Sequence, residues 1–83
     1  MEITLKLYAG LTQYLPENSE KHSTKLNISS SDTAHSVIEQ FNVPKESVHL
    51  VLLNGVYLNP EEREKSSFSE GDSLAVWPPV AGG

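Results

Sequence analysis

With 83 residues, the chain has room for one domain and one modest core. It contains no cysteine, which excludes disulfides, thiolate metal sites and carriage of sulfur as its own persulfide. Six Lys and Arg against eleven Asp and Glu leave a net charge of −5, a surface that repels phosphate backbones and suits a basic partner better than a nucleic acid.

Met1-Glu2 leads directly into an alternating segment, so no signal peptide is expected. The longest aliphatic run, Leu50 to Leu53, is far too short to span a bilayer. The expected location is the cytoplasm, with no membrane partner. Asn27-Ile28-Ser29 matches a glycosylation sequon, which carries no weight in a chain that is not secreted.

Ile3, Leu5 and Leu7 alternate with Thr4, Lys6 and Tyr8, the period of a half-buried strand. Between Ala9 and Ser19, residues Leu11, Tyr14 and Leu15 suit one helical turn before Pro16. His22 to Ile28 alternates again, and the two strands read as a hairpin with a long connection. Ser29-Ser30-Ser31-Asp32 supplies helix N-caps. Ala34, Val37, Ile38 and Phe41 then form one apolar stripe on a short helix, which Pro44 helps to stop.

Val48 to Leu53 reads as a strand, Asn54-Gly55 as a two-residue turn, and Val56-Tyr57-Leu58 as its short return. Asn59 to Ser67 is charged and irregular, with Glu61 to Lys65 forming a solvated turn or short helix and Phe68 anchoring into the core. Glu70-Gly71-Asp72 turns the chain into a last strand, Ser73 to Trp77, which Pro78-Pro79 ends because proline cannot donate to a ladder. One helix can cover only one face of such a sheet, so the expected class is α+β, with helix and sheet as two layers.

His22, His35 and His49 are the only histidines, and none has a second ligand at helical spacing, so no metal is expected. No nucleophile elbow accompanies the serines. The informative segment is Trp77-Pro78-Pro79-Val80-Ala81-Gly82-Gly83. Two glycines add nothing to a core, strand or helix. Read as the C-terminus, a backbone without Cβ atoms can thread a narrow channel and present its last carboxylate to another protein.

Lys6-Leu7-Tyr8-Ala9, Leu15-Pro16, Asn54-Gly55, Gly71-Asp72 and the six-residue tail together resemble the MoaD/ThiS family of ubiquitin-like sulfur carriers, most of all the molybdopterin synthase small subunit. Trp77 departs from the phenylalanine often found in that family. The resemblance implies a β-grasp fold of about five mixed strands and one main helix, with a domain at 1–77 and a flexible tail at 78–83. It implies a non-enzyme that completes a synthase. An E1-like enzyme would use ATP to adenylate Gly83, and a sulfur donor would displace AMP to leave a thiocarboxylate. No cofactor would be bound. A large synthase subunit would receive the tail, with the sulfur entering molybdopterin or tungstopterin synthesis.

Pro78 and Pro79 would stiffen the stem, Val80 and Ala81 would continue it, and Gly82 would give clearance in the channel. The extended tail would reach roughly 20 Å. Delivery to thiamine or cysteine synthesis, or conjugation of Gly83 to target lysines, remains an alternative with the same first step.

The resemblance also places partner contacts on the uncovered sheet face, at Tyr8, Tyr57 and Trp77. Alternation turns Tyr8 and Trp77 away from the core-facing side chains of their strands. Leu52 and Tyr57 stand opposite across the turn and share a face, which adds Leu50 and Leu52 and puts Val51, Leu53, Val56 and Leu58 inside. That parity brings His49 inward; the other buries Leu50 and Leu52 and exposes His49.

Overall fold

The computed structural model describes residues 1–80. Five strands form one mixed sheet: β1 (Glu2–Leu7), β2 (Ser23–Asn27), β3 (Leu50–Leu53), β4 (Val56–Tyr57) and β5 (Ser73–Trp77), in the order β2-β1-β5-β3-β4. β1 and β5 run parallel, and the other neighbours are antiparallel. The last strand in sequence is therefore the central strand in space. A main helix, α1 (Ala34–Gln40), lies between β2 and β3 in sequence, and a four-residue helix, α2 (Pro60–Arg63), lies between β4 and β5. Short 3₁₀ turns occupy Ala9–Tyr14 and Lys45–Ser47. The architecture is an α+β β-grasp fold.

The strand alternation explains the core. Ile3, Leu5 and Leu7 are buried on β1, Leu74 and Val76 on β5, and Val51 on β3. Ala34, Val37 and Ile38 of α1 close over them, and Leu11, Val43 and Leu58 seal the margins. Phe68 packs against this cluster as expected, alongside Phe41 and Tyr14.

Four local readings are corrected. The N-cap of α1 is Thr33, not the Ser29–Asp32 run: Thr33 Oγ1 accepts from Ser36 N, and Ser36 Oγ accepts from Thr33 N in a closed capping box. Asp32 instead buttresses the cap, accepting from Ser29 N and from the Ser36 hydroxyl. Two strands are shorter than their alternation: β2 lacks His22 and Ile28, and β3 begins at Leu50. His49, lying before β3, is exposed although Val51 points into the core, so the two predicted parities do not compete. Finally, Val56, expected inside, is 65% exposed on the two-residue strand at the sheet's edge.

The turns obey backbone chemistry. Asn54 and Gly55 both have positive φ (50° and 83°), the pattern of a hairpin turn whose twist matches its strands. Asn54 also staples the turn to β5: its Nδ2 donates to Asp72 Oδ1, and its Oδ1 accepts from Ser73 N. Asn42, in left-handed conformation at φ 61°, ends α1 just before Pro44.

Candidate functional site

The uncovered face of the sheet is not uniform. Cross-strand partners share a face, so the register assigns its rows. At one end Thr4 pairs with Ser73 and Lys25, a polar row. At the other end Leu50 pairs with Trp77, and in the row between, Ala75 pairs with Lys6 and Leu52, and Leu52 with Tyr57. Tyr8 follows β1 and donates its N–H to Val76 O. Tyr8, Leu50 and Trp77 therefore sit at the end of the sheet where β5 gives way to the tail, and Leu52 and Tyr57 lie one row inward.

The aromatic rings hold one another in place. Tyr8 and Trp77 stack with centroids 4.4 Å apart and planes 5° from parallel. His22 stacks on Tyr8 at 5.1 Å. Ala9, at φ 53°, takes the chain sharply away immediately after Tyr8. A shallow depression of about 360 Å³ lies beside the stack, bordered by Leu52, Ala75, Gly55 and the Lys6 ammonium stem. Tyr57 is half exposed and carries the Arg63 guanidinium 5.9 Å from its ring centroid. Arg63 is itself tied down: Nε donates to Leu58 O at 3.0 Å, and Nη2 donates to His49 O at 3.1 Å.

β5 has a ladder on each side, and its final carbonyl, Trp77 O, accepts from His49 N. Pro78 and Pro79 have no N–H with which to continue either ladder. The backbone is irregular from Pro78 to Val80; Pro78 is half-buried, Pro79 exposed and Val80 73% exposed. The tail thus starts from a strand held on both sides. Ala81, Gly82 and the predicted reacting residue Gly83 lie outside the described residues.

Two contributors were not visible in the sequence. His22 joins the aromatic stack only because its carbonyl accepts from Leu7 N, a pairing beyond the assigned end of β2. Arg63 braces Tyr57 from a helix that sequence alone left as a turn or short helix. Its signal was Asn59-Pro60-Glu61-Glu62, a capping box with proline at the first helical position. Among the described residues, no three His, Asp or Glu side chains converge on a metal position, and no helix is long and apolar enough to cross a membrane.

Residues 1–82 match the family model of the Mut7-C ubiquitin. The chain belongs to the Mut7-C ubiquitin family. No curated protein sequence matches it. Among solved structures, it resembles the HVO 2177 protein of Haloferax volcanii, with TM-score 0.76, 22% identity, and coverage of 100% of this chain and 87% of that one. It resembles SAMP1 of the same organism at TM-score 0.67 and 20% identity over the whole of both chains. It also resembles a chain in the complex of subunits 1 and 2 of the molybdopterin-converting factor from Helicobacter pylori, at TM-score 0.58 and 15% identity over the whole of both chains. The chain is thus ubiquitin-like, and its likeness to these solved structures is one of fold.

Proposed function

We propose that the chain is a sulfur carrier that reacts through Gly83. The observation that supports this most is the placement of Pro78-Pro79-Val80, which lead to Gly83 in the sequence. They follow the central strand β5, beside an apolar, aromatic patch on the one uncovered sheet face. A patch of that kind on a small protein marks a contact surface. Tyr8, Leu50, Leu52, Tyr57 and Trp77 dock the partner, while the tail enters its active site. Because the stem begins at a strand bonded on both sides, docking fixes where the tail points, and Pro78-Pro79 limits the entropy lost on threading.

A carboxylate resists attack because its charge is delocalised and its oxygen leaves poorly. An adenylating enzyme overcomes this by joining the Gly83 carboxylate to the α-phosphate of ATP and releasing pyrophosphate. Hydrosulfide then adds to the acyl carbon, AMP leaves, and the product is a thiocarboxylate. The carrier supplies the nucleophilic sulfur and a larger synthase subunit supplies the acceptor pocket, as in covalent catalysis divided between two chains. The molybdopterin-converting complex with a similarly folded chain supports this partner class and makes pterin dithiolene synthesis the favoured destination. On this reading the chain is not an enzyme by itself and acts in the cytoplasm.

A second reading begins with the same acyl-adenylate and ends with a lysine amine displacing AMP to form an isopeptide. The shared fold of a small archaeal modifier protein favours keeping it. ATP–pyrophosphate exchange by the host's adenylating enzyme tests the common step. Exchange is expected with the free carboxylate and is expected to vanish when Gly83 is amidated. Equal exchange with both forms overturns both readings.

A further inference from the structure

The helix side of the molecule carries a feature that the tail chemistry does not use. A groove of about 620 Å³ runs between α1 and α2. Its floor is apolar, made by Ile38, Val43, Val48 and Pro60. Its rim carries the carboxylates of Glu39, Glu61 and Glu64. The cations present are Lys45 and Arg63, and two Arg63 nitrogens are already bound to the carbonyls of Leu58 and His49. His35 pairs with Glu39 at 3.1 Å. Among the described residues, Glu61 and Glu64 have no ion-pair or side-chain hydrogen-bond partner.

The walls are fixed before anything binds. Ala34 N at the start of α1 donates to Ser66 Oγ just beyond α2, joining the walls across 32 residues of sequence. The Arg63–His49 bond ties α2 to the start of β3. A preformed apolar cleft costs little ordering on association. The carboxylates of Glu39, Glu61 and Glu64 against the cations of Lys45 and Arg63 leave its rim with an excess of one negative charge, which favours a cationic occupant.

We propose that this groove is a second protein-docking site, distinct from the uncovered sheet face, and that it takes a basic segment of another protein in which Lys or Arg flank an apolar anchor. A second copy of this chain is a poor occupant. Its six cations, Lys6, Lys21, Lys25, Lys45, Arg63 and Lys65, form no basic run, and each copy carries −5. The site stands whether or not Gly83 is activated, so the two claims fail separately.

The test is an NMR titration of the full ¹⁵N-labelled chain with a synthetic peptide of alternating Lys and Leu, and with its Glu/Leu counterpart. The Lys/Leu peptide is expected to give saturable shifts at Ile38, Val43 and Val48, with Tyr8 and Leu52 unmoved. The Glu/Leu peptide is expected to give none. The double variant Glu39→Lys/Glu64→Lys is expected to weaken binding about tenfold or more. Both positions lie at the C-terminal ends of short helices, where a cation is well tolerated, and a native amide spectrum checks the fold. Shifts on the sheet face instead, equal response to both peptides, no saturable response or an affinity unchanged in the double variant would overturn the assignment. So would groove shifts that grow with protein concentration alone, which would make the occupant a second copy.

Discussion

The two faces of the sheet are written by the same residues in alternation, and they do opposite work. On β5, Leu74 and Val76 are fully buried beneath α1, while Ala75 and Trp77 stay partly open on the other side. On β1, Leu5 and Leu7 are sealed, while Lys6, and Tyr8 just past the strand, are not. The covered face is apolar and sealed along β1 and β5. The uncovered face is graded, polar near Thr4 and Ser73, aromatic and aliphatic near Trp77. A core needs only apolar volume at every other position, whereas a docking surface needs its apolar groups where the reactive tail begins.

This contrast separates stability from recognition, and substitutions on one strand should resolve it. Leu74→Ala is expected to cost about 2–5 kcal/mol of unfolding free energy, read from a denaturant midpoint, because its cavity lies in a packed core. Its neighbour Trp77→Ala should reverse the balance. Loss of the Tyr8 stack should cost the fold about 0.5–1.5 kcal/mol beyond the area that Trp77 buries. Affinity for the adenylating enzyme, measured by calorimetry, should fall by about 2 kcal/mol or more. Equal effects of the two substitutions on both measurements would break the division.

Smaller effects sharpen it at the turns. Asn54→Asp would bring a second carboxylate against Asp72 in place of a 2.9 Å hydrogen bond. It should cost about 1 kcal/mol at neutral pH. The deficit should shrink as acid protonates one of the pair, which denaturant unfolding at pH 7 and pH 4 would reveal. The smallest expected effect is at Asp32. The Ser29 backbone N–H, and then the Ser36 hydroxyl, hold its carboxyl below the ordinary 3.8. A depressed carboxylate contributes stability above its unfolded value and loses it as pH falls through the lower folded value. Stability should therefore decline below pH 3.8, and Asp32→Asn should flatten that limb in a pH series of unfolding midpoints.

Elements built on local periodicity were legible in the sequence. β1, β5 and the stripe of α1 follow from spacing alone, and the Asn54-Gly55 turn follows from two residues that tolerate positive φ. What escaped depended on partners distant in sequence. The N-cap moved to Thr33 because Ser36 returns its hydrogen bond, whereas every residue of the Ser29–Asp32 run is an equally good cap in isolation. Val56 was expected inside because alternation assigns a face but not a cover, and β4 is the edge strand of the sheet. The Arg63 brace joins His49, Tyr57 and Leu58 through tertiary contacts that no local pattern encodes.

The carrier role is tested most directly at the atom said to change. The untagged chain would be incubated with ATP, the host's adenylating enzyme and sulfide, then weighed intact and fragmented. The expected result is a mass gain equal to one oxygen exchanged for sulfur, confined to Gly83 and dependent on ATP. An unchanged mass with active enzyme, or an exchange mapped elsewhere in the chain, would contradict sulfur carriage by this terminus.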